Sequence, residues 1–368
     1  MPNQTPKNIL LAPLDWGAGH TTRCIPIVAH LLTSGNRVFF AGNDWQITLI
    51  KQVFGNQVTT LPLYGYNITY SRLNHVLQLG LLSQLPRLLQ VIKAEHNWLL
   101  QTVRAHNIQG VISDNRYGLH HPTVPSVIIT HQLHILTGAG SMADAAVQQL
   151  HYRYLHRFRE VWIPDTEQQP SLAGRLSHPE SLPHNSRYIG WLSRFVGKEA
   201  TPEADSRQHL LVLLSGPEPL RTHTSQRLWQ QALSYKGGRV VFADGSDAAT
   251  APASIPSHIS YHRRLNDQEL IAAVGNAHTI VCRSGYSTVM DLVAMGARAI
   301  LLPTPAQTEQ QYLGKYLRDN RLFYSVAEKD FDLNIAMENY RNFDFSAMPA
   351  VEGFCMHQHA VNEWIATL

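Results

Sequence analysis

The chain has 368 residues, of which 44% are hydrophobic and 15% are charged, with a formal net charge of +3. This balance excludes a largely disordered chain, and the length suffices for two domains of roughly 150 residues each. So small a net charge gives no reason to expect nucleic-acid binding. The 20 histidines are scattered, and no pair has a helical metal-binding spacing beside a carboxylate, so no metal site is predicted.

The number and spacing of the cysteines and the length of the apolar runs indicate the cellular compartment of the protein. Cys24, Cys282 and Cys355 are odd in number and far apart, which is typical of a reducing environment rather than of a disulfide framework. The N-terminal residues lack the basic and apolar regions of a signal peptide, and no apolar stretch reaches the ~18 residues needed to span a bilayer. We therefore expect a cytoplasmic protein, with peripheral contact to the inner face of the cell membrane left open.

Short apolar runs alternate with amphipathic helical patterns in the first half of the chain. Strands are predicted at 9–13, 37–42, 109–113, 126–130 and 161–164. Such alternation indicates parallel βαβ units, so residues 1–190 are predicted to form one Rossmann-like domain. The polar segment 191–208 is predicted to be a linker.

The alternation restarts after this segment. Strands are predicted at 209–214, 239–243, 259–261, 279–282 and 299–302, and helices at 219–235, 266–275, 286–295 and 308–319. Residues 209–345 are thus predicted to form a second Rossmann-like domain, and 346–368 a helical segment packing back towards the first. The predicted fold class is α/β, with two doubly wound domains facing a central ligand-binding cleft.

A glycine-containing turn follows the first predicted strand. Gly17 and Gly19 begin like the dinucleotide-binding pattern G-x-G-x-x-G, but Thr22 stands in place of the third glycine, which weakens that interpretation. His20 then lies at the start of a helix, where an imidazole can act as a general base near neutral pH. The alternative is a helix-capping turn with a surface histidine.

A second chemistry-bearing segment spans 279–303, where a predicted strand leads into a helix. Backbone N–H groups and hydroxyls at such a helix start suit a pyrophosphate, and a carboxylate one or two turns later suits the two hydroxyls of a ribose. The alternative is an ordinary strand–turn–helix crossover capped by serine. The candidate donor-binding residues here are Arg283, Ser284, Gly285, Ser287, Thr288 and Asp291.

Other polar side chains lie at predicted strand ends. Gln310 and Gln311 begin a helix, and their amides suit a polyhydroxylated ligand, although a solvated helix start is the alternative. Asp114 is predicted to orient His20 or to act as a base itself, the alternative being a turn-forming Asp-Asn pair. The candidate residues on the acceptor side are Gly17, Gly19, Arg23, Asn115, Arg116, His131 and Gln132.

The segment Cys282-Arg-Ser-Gly, followed by Thr288, Asp291 and the pair Gln310-Gln311, resembles the donor-binding segment of UDP-sugar glycosyltransferases of family 28. Members of this family have the GT-B fold, and their N-terminal G-x-G-H turn is matched here by residues 17–20. The order of elements agrees along nearly the whole chain, and the C-terminal segment is the more specific part.

The resemblance implies roles for individual residues. Asp291 takes the place of the acidic ribose ligand, usually a glutamate, and Gln310 and Gln311 match the pair that contacts the sugar. Leu265 lies where a uracil-contacting residue is expected. Ser215 and Gly216 match the start of a glycine-rich phosphate loop, although "SGPEP" has two prolines where the family has glycine and serine.

The expected activity is transfer of a sugar, with inversion, from a UDP-sugar to an acceptor hydroxyl, without a metal or other cofactor. His20 is the predicted base, assisted by Asp114 or Asp15, and the acceptor is not identified. In family 28 an apolar patch with basic residues at its rim approaches the membrane. Segments 76–92 and 151–160 resemble this patch, although the alternative is that they form helices packed in the core.

Two rival functions are a nucleotide-sugar epimerase of the UDP-GlcNAc 2-epimerase type and a catalytically silent binding protein.

Overall fold

The computed structural model describes residues 5–66, 85–135, 140–198, 208–216, 218–246 and 249–368. These residues form two compact units. The first holds the described residues up to Arg194 together with Glu352–Leu368, and the second holds those within Phe195–Val351. Residues 199–207 of the predicted linker and 76–84 of the leucine-rich stretch lie outside the described residues.

The first unit is built on a seven-stranded parallel sheet in the order β3-β2-β1-β4-β5-β6-β7. The order reverses between β1 and β4, so the loops that follow these two strands diverge and leave room for a ligand. The strands are β1 (Asn8–Pro13), β2 (Arg37–Gly42), β3 (Val58–Pro62), β4 (Gly110–Asp114), β5 (Ser126–Ile129), β6 (Glu160–Ile163) and β7 (Ser186–Tyr188). The helices that precede the second sheet are α1 (Ala18–Thr33), α2 (Asp44–Phe54), α3 (Leu85–His106) and α4 (Ser141–Leu155).

The second unit repeats this architecture with a six-stranded parallel sheet in the order β10-β9-β8-β11-β12-β13. Its strands are β8 (His209–Leu213), β9 (Arg239–Ala243), β10 (Ile259–His262), β11 (Ala277–Cys282), β12 (Ile300–Leu301) and β13 (Tyr324–Ser325). Its helices are α5 (Leu220–Leu233), α6 (Asp267–Gly275), α7 (Tyr286–Ala294), α8 (Thr308–Asp319) and α9 (Leu333–Arg341). The prediction of two α/β units with parallel sheets is confirmed.

The last helix, α10 (Met356–Ile365), belongs to the first unit and packs on α1. His30 of α1 is 2.8 Å from the Asn362 side chain, and Trp364 is buried beside Trp162 of β6. Gly190 adopts a φ of 74° where the backbone of Gly353 approaches it, so this docking requires a residue without a Cβ atom.

The central strands have almost continuous apolar sequences because both faces of a parallel sheet are covered. In β1, the side chains of Ile9, Leu10 and Leu11 are fully buried. Burying such a side chain stabilises the fold by about 1.5–3 kcal/mol. These rigid strands fix the positions of the loops at their carboxyl ends, where the candidate site residues lie.

Candidate active site

The turn between β1 and α1 presents His20. Gly17 is the N-cap residue of the helix and has a φ of 70°, a left-handed conformation that favours glycine. Gly19 and His20 lie in this first turn, and the His20 side chain is 17% exposed. The turn thus holds an imidazole at the carboxyl edge of the sheet with one side open to solvent.

Asp114 ends the adjacent strand β4 and is fully buried beside this imidazole. Its Oδ1 lies 3.1 Å from Nδ1 of His20. Arg23 donates from Nε to Oδ2 at 2.8 Å and from Nη2 to Oδ1, and the Cys24 thiol donates to Oδ2 at 3.5 Å. The structure therefore brings together His20 and Asp114, as the sequence predicted. As a correction, Arg23 is buried and binds Asp114, so we assign it to this cluster rather than to acceptor binding, and Cys24 joins it from the same turn of α1.

The charges around Asp114 set the protonation of this cluster. Burial alone would raise the pKa of Asp114, but the Arg23 guanidinium and His20 outweigh it and hold that pKa well below its usual range. Burial, followed by the charge of Arg23, lowers the pKa of His20, whereas Asp114 acts in the opposite sense. Asp114 is therefore an acceptor of hydrogen bonds at neutral pH, and Nδ1–H of a neutral His20 donates to it. This tautomer leaves the lone pair on Nε2.

Asp15 and Arg116 have structural contacts that disfavour their predicted roles. Arg116 is fully buried and donates to the carbonyl of Pro13 at 2.8 Å and to Glu95 Oε1 at 2.6 Å. Asp15 accepts the backbone N–H of Tyr66 at 3.1 Å and lies 3.9 Å from Arg116. As a correction, we assign Arg116 to the core rather than to acceptor binding, and Asp15 to anchoring the loop after β3 rather than to catalysis.

The remaining acceptor-side candidates lie at the ends of β4 and β5. Asn115 has a φ of 56° and donates its N–H to the Ile129 carbonyl, so it shapes the turn after β4. His131 is 3% exposed, and its Nδ1 lies 3.4 Å from Nη1 of Arg23. Gln132 is half-buried. His131 thus joins the cluster formed by His20, Arg23, Cys24 and Asp114. The acceptor-binding role of Gln132 stays a prediction.

In the second unit, the turn after β11 leads into α7. Gly285 is the N-cap residue of the helix and, as a glycine, has no side chain to cap the first turn. Ser287 and Thr288 lie in that turn and Asp291 one turn later, all three half-buried. The N-terminus of a helix presents N–H groups and a positive dipole end, which favour an anion. This geometry suits the diphosphate-binding role predicted from the sequence.

Arg283 occupies a different position from the one predicted. Its side chain is 2% exposed, and Nη1 donates to Glu328 at 2.6 Å and to the Leu302 carbonyl at 3.1 Å, while Nη2 donates to Thr224. A guanidinium neutralised in the core is not presented to a diphosphate. As a correction, we assign Arg283 to holding the β11–α7 turn against β12 and the segment before α9. The sequence gives no spacing signal for Glu328, which lies 45 residues away.

Ser284 and Gln310 also use their polar atoms within the fold. Ser284 donates its hydroxyl to the Gln310 carbonyl at 2.8 Å. The Gln310 side chain accepts from the N–H of Thr304 at 3.0 Å and donates to Gln307 at 2.6 Å. These contacts brace the start of α8, so the Gln310 amide is occupied, whereas Gln311 is exposed on the same helix.

Three further donor-side candidates lie at the carboxyl ends of strands in the second unit. Ser215 and Gly216 follow β8, are exposed, and Gly216 has a φ of 118°. Leu265 is half-buried and directly precedes Asn266, which caps α6 through a capping box with Glu269. These positions agree with a ligand-binding edge of the sheet, but their roles stay predictions.

The part of the chain that the structure describes contains no group of three or more histidine, cysteine, aspartate or glutamate side chains arranged to hold a metal ion. None of its helices combines the length and the apolar character needed to cross a bilayer.

The fold is that of the GT-B glycosyltransferases, as the sequence predicted. The glycotransferase of kitacinnamycin superposes with a TM-score of 0.66 at 13% identity, covering 99% of this chain and 96% of that one. MurG of Acinetobacter baumannii superposes with a TM-score of 0.58 at 14% identity, covering 98% of this chain and 100% of that one.

Sequence comparison points to one family within this class. Residues 261–338 match the glycosyltransferase family 28 C-terminal domain. This segment contains the β11–α7 turn and helix α8. The predicted resemblance to family 28 is therefore confirmed.

The curated relatives carry one name, UDP-N-acetylglucosamine--N-acetylmuramyl-(pentapeptide) pyrophosphoryl-undecaprenol N-acetylglucosamine transferase. The protein of Histophilus somni is 35% identical over 77 residues, which are 21% of this chain and 22% of that relative. The protein of Haemophilus influenzae is 37% identical over 68 residues, 18% of this chain and 19% of the relative. These two matches thus span about a fifth of each relative's length. The protein of Burkholderia cenocepacia is 23% identical over 327 residues, 83% of this chain and 81% of the relative.

Proposed function

We propose that the protein is a glycosyltransferase that moves a sugar, with inversion, from a UDP-sugar to an acceptor hydroxyl. The observation that carries this proposal is the strand–glycine–helix turn that begins α7 within the family 28 match, with Asp291 one turn further along the same helix. The name shared by the relatives supports UDP as the donor's nucleotide. The comparisons favour transfer over the epimerase alternative.

The donor is proposed to bind at the carboxyl edge of the second sheet. The N–H groups at the start of α7 and the hydroxyls of Ser287 and Thr288 would receive the diphosphate, and Asp291 the ribose hydroxyls. Leu265 would contact the base, and Gln311 the sugar. Charge that develops on the departing diphosphate is stabilised by these fixed donors, which require no reorganisation during the reaction.

His20 is proposed to be the general base. The acceptor oxygen forms a bond to the anomeric carbon, while the bond from that carbon to the diphosphate oxygen breaks and its electron pair leaves with UDP. The hydroxyl proton passes to Nε2 of His20. Asp114 holds Nδ1 through its hydrogen bond of 3.1 Å and stabilises the imidazolium that forms. The proposed step uses no metal or other cofactor.

The acceptor side of the proposal includes peripheral contact with a membrane that carries a lipid-linked acceptor. Helix α3 exposes Leu89, with Arg87 two residues before it, and helix α4 exposes Met142 and Leu150. Apolar side chains with a basic rim suit an anionic membrane surface. Sedimentation with anionic vesicles tests this: Met142→Glu should release the protein, and equal binding of the variant would contradict the contact.

The donor assignment is tested by thermal unfolding with UDP and a panel of nucleotide sugars. A ligand at a hundredfold excess over its Kd stabilises the folded state by about 2.7 kcal/mol. We expect UDP to raise the Tm of the wild type and of Asp319→Ala, a control that removes an exposed carboxylate from α8. Asp291→Ala should lose most of this increase. Equal stabilisation of Asp291→Ala and wild type would show that UDP does not bind through Asp291.

A further inference from the structure

The carboxylate of Asp114 is shared by two cationic or potentially cationic partners. Arg23 donates two hydrogen bonds to it, from Nε to Oδ2 and from Nη2 to Oδ1. Nδ1 of His20 also lies beside Oδ1. Asp114 is fully buried and Arg23 is 2% exposed. A simple histidine–carboxylate pair lacks such a guanidinium. The positive charge of Arg23 partly offsets the negative charge of Asp114 that acts on the imidazole.

His131 completes the cluster and fixes the direction of the contacts. Its Nδ1 lies 3.4 Å from Nη1 of Arg23. A guanidinium donates hydrogen bonds and cannot accept them, so Nδ1 of His131 is the acceptor in this contact. Among the described residues, the titratable and charged groups of this cluster beside His20 are Arg23 and Cys24 on α1, Asp114 at the end of β4 and His131 after β5.

We propose that Arg23 is the positioning residue of the His20–Asp114 pair, because its guanidinium fixes the orientation of the carboxylate and offsets its charge. His20 then remains neutral, and able to accept a proton, at mildly acidic as well as neutral pH. In an isolated pair, the full carboxylate charge would favour the imidazolium and block the base in that range. This inference rests on the proposed function in taking His20 as the base.

The burial of the cluster explains how Arg23 can have this effect. Surface charges are screened by water, but a carboxylate and a guanidinium that are both excluded from solvent act strongly on their neighbours. Burial and the charge of Arg23 together lower the pKa of His20, while Asp114 opposes them. Arg23 also keeps Asp114 ionised, so the orienting hydrogen bond to Nδ1 persists at low pH.

The test is a titration of His20 by NMR on the full chain labelled with [13C]histidine, the His20 signal being assigned by its loss in His20→Gln. In the wild type we expect a midpoint below the ordinary value of 6.5. Arg23→Gln, which keeps a hydrogen-bond donor but removes the charge, should raise that midpoint by about one unit or more. Arg23→Lys, which keeps the charge, should shift the midpoint by less than Arg23→Gln does.

A wild-type midpoint above 6.5 would overturn the proposal even if Arg23→Gln failed to fold. An unchanged midpoint in folded Arg23→Gln would overturn it as well. The acidic limb of kcat/KM should move with the midpoint, which a merely structural role of Arg23 would not produce. If the midpoint moves as expected but His20→Gln retains full transfer, the influence of Arg23 on His20 stands and the proposed role of His20 as base fails.

Discussion

Arg283→Met is expected to destabilise the second unit by about 3–5 kcal/mol, the usual effect of removing one partner of a buried ion pair. In the wild type, the guanidinium is almost completely buried and donates to Glu328, to the Leu302 carbonyl and to Thr224. Methionine preserves much of the side-chain volume but leaves the Glu328 carboxylate buried without its counter-charge.

Urea unfolding, followed by far-UV circular dichroism, measures this loss. Lys315→Ala is the matched control, because Lys315 pairs with Asp319 across one turn of α8 and both side chains are more than half exposed. Such a surface pair contributes about 0.3–0.5 kcal/mol, roughly a tenth of the loss expected for Arg283→Met.

The opposite result would refute the reasoning about Arg283. If Arg283 were instead a diphosphate ligand, Arg283→Met would unfold at the same urea concentration as the wild type and would lose affinity for UDP. If Arg283→Met were as stable as Lys315→Ala but no longer bound UDP, Arg283 would be assigned to donor binding.

Further predictions concern the first unit. Burial lowers the pKa of His151 to about 4, so the free energy of unfolding falls as the pH drops from 6.5 towards 4. Between pH 7 and 4.5, His151→Phe should remove about 2 kcal/mol of this loss, as measured by urea titration. An equal loss in the wild type and the variant would contradict this prediction. Gly190→Ala should lower the free energy of unfolding by about 1–3 kcal/mol and make α10 sensitive to limited proteolysis. Gly190 has a φ of 74°, and an added Cβ would meet the Gly353 backbone. A variant as resistant to the protease as the wild type would argue against this docking. Asp114→Asn should show its full loss of stability above pH 3.8 and a progressively smaller loss below it. The folded protein stabilises the ionised form of Asp114, and this contribution is complete above the pKa of the unfolded chain and disappears as the pH falls towards the lowered pKa of the folded state. A deficit independent of pH would exclude this linkage.

The sequence predicts the central strands because their apolar runs are continuous, but of the four edge strands it predicts only β10 and misses β3, β7 and β13. β3 carries two threonines in the sequence VTTLP, and β7 and β13 are only three and two residues long. Such strands form because a neighbouring strand offers hydrogen-bonding partners, which is tertiary information that local patterns lack. Helix α9 escapes prediction although an aspartate, Asp332, caps its start.

The candidate site shows the same division. His20 and Asp114 were predictable because Asp114 ends an apolar strand and His20 begins the helix after another, and parallel strands place their carboxyl ends at one edge. Whether a polar side chain there faces a ligand or the core depends on partners distant in sequence. Arg116 and Arg283 follow strands in the same way, yet Glu95 and Glu328 neutralise them inside the fold.

The most direct test of the account is the release of UDP from a panel of UDP-sugars by the purified protein, with wild type, His20→Ala and Asp291→Ala compared. We predict that the wild type turns over at least one UDP-sugar. Asp291→Ala should lose both turnover and UDP binding, whereas His20→Ala should bind the donor normally and release UDP at least a hundredfold more slowly, the usual contribution of a general base. A wild-type protein that neither binds nor turns over any UDP-sugar would contradict the account.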